Sequence, residues 1–277
     1  MRRSTTSAGT NRPLLGTLLV VELIIALALL LRPAAATAPP PAPPVTSSAP
    51  ALAAQTLVLR DGRSATLLPL GGARSAALTA RIAAELDTAA DAVTAFWGDG
   101  WRRDIEIVAT GTDEEFAAMG GGGSDIAAAT TPERIVFAPG AAAMSDGALR
   151  IVVRHELFHY AARADTAVDA PRWLTEGVAD YVGRPPQPRP GPERAADLAR
   201  LPTDADLDTA GATRSLAYDR AWWFSRFVAD RYGTPALRRL YLAACGPGHR
   251  DVETAVRDTL GEDLPQVAAA WRQWLSG

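Results

Sequence analysis

The residues best equipped for chemistry stand together in one string, His155-Glu156-Leu157-Phe158-His159. On a helix the two histidines lie about 40° apart around the axis and one turn along it. At that spacing two imidazole nitrogens can reach a single Zn²⁺, at about 2.0–2.1 Å each. Glu156 is turned towards the metal's open position, where a carboxylate can take a proton from an activated water. The chain has only three histidines, and this string uses two of them. A pair of core or surface histidines on an amphipathic helix is the plainer reading, and it leaves the accompanying glutamate unexplained.

A catalytic zinc site takes a third protein ligand, and three residues are candidates. Asp165 follows His159 by six residues, where an extended H-E-x-x-H-x-x-G-x-x-H motif has its last ligand. Ala162 replaces the glycine of that motif, and Met1, Met119 and Met144 all precede it, so no Met-turn can follow. Glu176 lies in Trp173-Leu174-Thr175-Glu176-Gly177-Val178-Ala179-Asp180-Tyr181, just after Pro171, with Asp180 one helical turn further on the same face. One of these two carboxylates can bind the metal while the other accepts the second N–H of a ligand histidine and fixes its tautomer. Either assignment of the two roles is open at this point.

Elements must hold these groups in place. From Asp146 onward apolar spacing predicts helices at about 146–163, 172–183, 192–200, 214–232, 234–244, 249–260 and 264–275. Ile151, Val152 and Val153, with Leu157 and Phe158, give the first of these an apolar back that seats it in a core. Upstream, Thr56–Gly62 and Ser64–Leu70 flank a turn as a hairpin. Ala73–Trp97 has helical periodicity and stops at Gly98-Asp99-Gly100. Asp104–Thr110 and Arg134–Gly140 read as strands, Thr112–Met119 as a short helix with an acidic first turn, and Gly120–Pro132 as a loop. Strands first and helices after predict an α+β domain in two lobes over residues 55–277, a small sheet with helices followed by a mainly helical part.

Residues 1–32 concern delivery. Leu14 to Leu31 is an apolar run broken only by Gly16, Thr17 and Glu22, with Arg2, Arg3 and Arg12 before it and Arg32 after it. That asymmetry puts the N-terminus in the cytoplasm and the remainder across the membrane. The run is long enough for a single-span anchor, while Ala34-Ala35-Ala36 offers the cleavage site of a signal peptide; the domain is extracytoplasmic in both cases, membrane-bound or secreted. Residues 33–54, rich in Pro and Ala, read as an extended linker.

Composition narrows the functional classes. With 48% hydrophobic and 21% charged residues the chain can fill a core. All 28 basic residues are arginine, and beyond residue 32 there are 24 of them against 30 acidic residues, a net charge of −6. That is the wrong sign for a nucleic-acid partner. Cys245, the only cysteine, excludes an internal disulfide and a cysteine-built metal cluster.

The string His155–His159, followed after a short gap by Pro171-Arg172-Trp173-Leu174-Thr175-Glu176-Gly177-Val178-Ala179-Asp180-Tyr181, resembles the gluzincin metallopeptidases, in particular the bacterial peptidase MA-like metallohydrolases. The likeness runs from about Ile105 to Gly233. It implies a zincin-like fold with His155, His159 and Glu176 as Zn²⁺ ligands, Glu156 as general base and Asp180 behind a ligand histidine. It also implies that Arg134–Pro139 is an edge strand along which a peptide lies extended. Such enzymes add a donor to the oxyanion formed on the carbonyl. Tyr218 occupies the position of that donor in similar proteins, and His249, the one histidine outside the motif, is the other candidate. The expectation is a zinc-dependent hydrolase of peptide bonds; the alternative is a catalytically idle, zinc-stabilised ectodomain that binds protein or cell-wall partners.

Overall fold

The computed structural model describes residues 53–120 and 125–277. The expected membrane segment and nearly all of the linker lie outside these residues. Among the described residues no helix is long and apolar enough to cross a membrane.

Five strands form one sheet: β1 (Gln55–Val58), β2 (Ser64–Pro69), β3 (Asp104–Ala109), β4 (Ala128–Thr130) and β5 (Ile135–Phe137), in the order β1-β2-β3-β5-β4. The first two make the expected antiparallel hairpin. β2, β3 and β5 run parallel, and parallel neighbours need a crossover. Helix α1 (Ala73–Trp97) supplies it between β2 and β3. The short helix α2 (Asp113–Ala118), started by a capping box in which Thr112 accepts from the Glu115 amide, follows β3. Parallel strands are covered on both faces. Ile105, Ile107 and Ala109 face the main core, while Val108 and Val136 pack with Phe116 on the other side.

The edge of the sheet is not where the family resemblance implied. Ile135–Phe137 lies between β3 and β4, and all three of its residues are buried. The edge strand is β4, which pairs antiparallel with β5 from Ala128↔Phe137 to Thr130↔Ile135. Three residues, Ala-Ala-Thr, carry neither an alternation nor a branched run, so only the pairing with β5 makes them a strand.

Eight helices complete the described fold: α3 (Asp146–Ala162), α4 (Arg172–Gly183), α5 (Pro192–Leu198), α6 (Asp204–Asp208), α7 (Ala212–Tyr232), α8 (Thr234–Cys245), α9 (Val252–Leu260) and α10 (Leu264–Ser276). The five-residue α6 is too short for its periodicity to be read in the sequence. The hydroxyl of Ser145 caps α3 by accepting from the Ala148 amide. Its apolar back inserts Phe158 edge-on between Phe96, Trp97 and Tyr241. α4 runs between α3 and α7, and two glycines permit the approach. A Cβ on Gly177 would stand 2.5 Å from the Ala221 carbonyl oxygen, and one on Gly183 would stand 3.1 Å from that of Ile151. Pro171 cannot cap α4 with its side chain; Asp204 of α6 does so from a distance, accepting from the amides of Arg172 at 3.1 Å and Trp173 at 2.9 Å.

Candidate metal centre

α3 and α4 carry His155, His159 and Glu176 into a cleft of about 350 Å³ that is also lined by Thr130 of β4 and Tyr218 of α7. The two Nε2 atoms are 3.1 Å apart. Glu176 Oε2 lies 3.1 Å from Nε2 of His155 and 3.6 Å from Nε2 of His159. Two ligands bound at zinc's usual length and tetrahedral angle stand about 3.3 Å apart. The three atoms therefore have the spacing that one ion requires, and together they could hold it.

The other ring nitrogen of His155, Nδ1, is 3.0 Å from Asp180 Oδ1. Behind it a line of ion pairs leads away from the cleft. Asp180 Oδ2 is 2.6 Å from Arg184 Nη2, Arg184 Nη1 is 2.9 Å from Asp219 Oδ1, and Arg194 Nη2 is 2.5 Å from Asp219 Oδ2. Asp180 and Asp219 are both buried, so their charges are tolerated only because cations meet them.

Without an ion this cluster organises itself by protons. Burial presses the His155 pKa down, but its bonds to Asp180 and Glu176 outweigh that and hold it well above the ordinary value. Glu176 is raised by burial and lowered more by the charge of His159 and its bond to His155, ending well below the usual carboxylate range. Asp180 likewise ends low, because Arg184 and His155 outweigh its burial. Below the raised His155 pKa, a metal entering here displaces a proton from that ring.

Glu156, buried beside the histidines, accepts a hydrogen bond from the Thr130 hydroxyl at 2.8 Å. One side chain thus ties the edge strand to the carboxylate. Tyr218 has its pKa raised well above the ordinary value, first by the charge of Glu176 and then by burial, so its hydroxyl keeps its proton and remains a donor.

Asp165 sits exposed in a 3-10 turn (Arg163–Asp165) just past α3 and is not part of the cluster. His249 is not among the residues lining the cleft; its Nδ1 lies 3.0 Å from the Arg250 carbonyl oxygen and its Nε2 3.4 Å from Asp169. Polar and charged residues in or behind the cleft that escaped the sequence reading include Thr130, Arg163, Arg172 and Arg184. Arg163 follows His159 by four positions and Arg184 follows Asp180 by four, so the spacing rule that found the histidines reaches both. Thr130 gives no local signal, because β4 has none.

No protein-family model matches the sequence, and no curated protein matches it either. Among solved structures, a mutant two-domain M1 zinc metallopeptidase bound to L-arginine superimposes with a TM-score of 0.48 at 15% identity, over 81% of this chain and 52% of that one. This chain spans about half the length of that peptidase.

Proposed function

We propose that this chain is a zinc-dependent hydrolase of peptide bonds. The observation that carries the reading is the convergence of His155 Nε2, His159 Nε2 and Glu176 Oε2 on one point, with Glu156 held beside it by Thr130. In this reading His155, His159 and Glu176 hold Zn²⁺, and Asp180 fixes His155 in the tautomer that presents Nε2. The ion, when bound, supplies Lewis acidity towards water and a carbonyl oxygen. Glu156 takes the proton of the attacking water and delivers it to the leaving amine. Tyr218 donates its hydroxyl proton as a hydrogen bond to the oxyanion. β4 offers the edge along which a peptide can lie extended, taking over the role that the resemblance implied for Arg134–Pro139.

We place the activity outside the cytoplasm, delivered by the apolar segment 14–31 as an anchor or a cleaved signal. The domain over 55–277 is the catalytic unit, and its substrate is a peptide or protein rather than a nucleic acid.

Metal content and turnover test the reading together. Wild-type protein dialysed against a weak chelator should retain about one zinc per chain, and Glu176→Ala should lose it. Glu156→Gln should keep the zinc and lose hydrolysis by at least about two to four orders of magnitude. Turnover at the wild-type rate in Glu156→Gln would sink its role as base.

A further inference from the structure

The cleft holds two cations that the proposed reaction does not use. Arg163 stands four residues after His159 and keeps helical backbone angles where α3 ends, so it continues the face that carries His155 and His159. It lines the cleft, and among the described residues its guanidinium has no ion pair or hydrogen bond. Arg172 lines the cleft from the first turn of α4. Its Nη1 is bound to Asp208 at 2.6 Å, which fixes the side chain, while its other side-chain N–H groups carry no bond among the described residues.

The acidic side chains of the cleft are already committed. Glu156 and Glu176 are the carboxylates among its lining residues; the first is bonded to Thr130, the second to His155. No spare carboxylate there can receive the ammonium of a free N-terminus. Much of the remaining wall is small or apolar, with Ile126, Ala128, Ala167 and Ala170. What the wall offers a charged ligand is guanidinium, whose planar fork pairs with a carboxylate through two parallel bonds.

Resting on the hydrolase reading, we propose that Arg163, together with Arg172, selects peptides that bring a carboxylate into the cleft. Two sources share that chemistry: the α-carboxylate of a chain terminus and the side chain of Asp or Glu near the scissile bond.

Three N-acetylated alanine-rich peptides of one length separate them: one with a free C-terminal acid, one amidated, and one amidated with a glutamate inside. Turnover is measured with the zinc-loaded full-length chain. Binding is measured by calorimetry on zinc-loaded Glu156→Gln. The free-acid peptide should exceed the plain amide by roughly tenfold to a hundredfold in kcat/KM and in affinity, the range of a charge-assisted bond, and the gap should shrink with salt. Arg163→Met should bring the ratio to near one, and Arg163→Lys should keep part of it. Preference for the glutamate peptide instead identifies the side chain as the source and supports the same site. Equal rates and affinities for all three in the wild type, which need no variant to fold, would overturn the proposal; so would full preference persisting in Arg163→Met. Preferential binding of a carboxylate peptide without turnover of any peptide leaves the carboxylate site standing and removes the hydrolase reading.

Discussion

At the scale of single residues the site depends on charge being met by charge in a buried place. Asp180 faces His155 on one side and Arg184 on the other. Asp180→Asn keeps the shape but removes the charge that orients the imidazole and makes it a better ligand. It should weaken zinc binding about ten- to a hundredfold, measured by competition with a chromogenic chelator, while the fold survives. Acidity acts on the metal-stripped protein with a definite sign. The His155 pKa is raised above 6.5, so its contribution to stability is complete below pH 6.5 and is lost as pH climbs through the raised value. The Glu176 pKa is lowered below 4.5, so its contribution is complete above pH 4.5 and is lost as pH falls through the lowered value. Thermal melts of stripped protein should therefore show these two groups' greatest effect between pH 4.5 and 6.5, with stability declining on the alkaline side. Zinc must displace the His155 proton, so its stabilising increment should grow with pH instead. The gap in stability between loaded and stripped protein, widening with pH up to the raised His155 pKa, is the measurable result.

At the scale of elements, the helices that carry the candidate ligands are placed by close backbone approach. Gly177, next to Glu176, lets α4 lie against α7, and an added Cβ would meet the carbonyl carbon and oxygen of Ala221 at 2.7 and 2.5 Å. Backbone cannot yield as a side-chain tip can. Gly177→Ala should therefore destabilise by about 1–3 kcal/mol, lower Tm by several degrees, and reduce zinc retention by moving Glu176. Calorimetric melting with parallel metal analysis checks both effects. α3 and α4 could be read because their chemistry repeats at four-residue spacing, which is local and survives without knowledge of the fold. Helix α1 and the strands β2 and β3 could be read in the sequence as elements from their own local periodicity, although the parallel pairing of β2 with β3 could not. β4 could not, because Ala128–Thr130 becomes a strand only through β5, and with it the Thr130 contact to Glu156 was hidden. The Asp204 cap on α4 was hidden too, since the two partners lie about thirty residues apart in the chain.

For the whole molecule, one buried core runs from Leu59 beside the sheet to Leu275 in the last helix, and the candidate centre joins α3 to α4 near the open edge of β4. An ion bound there stabilises the native state by mass action, about 2.7 kcal/mol when free zinc is a hundredfold above its Kd. For a folded unit of this size each kcal/mol is worth about 2–4 °C. Stripping the metal should therefore lower Tm by roughly 5–10 °C, and restoring zinc should return it. Melting alone does not separate an enzyme from an idle metal-stabilised ectodomain, because both would show that shift. Hydrolysis does, when followed in the same sample. If a peptidase is present, activity vanishes at chelator concentrations where the protein is still folded and returns with zinc, since the loss is chemical and precedes unfolding. An ectodomain without catalytic function would show the shift in Tm and no activity at any zinc concentration.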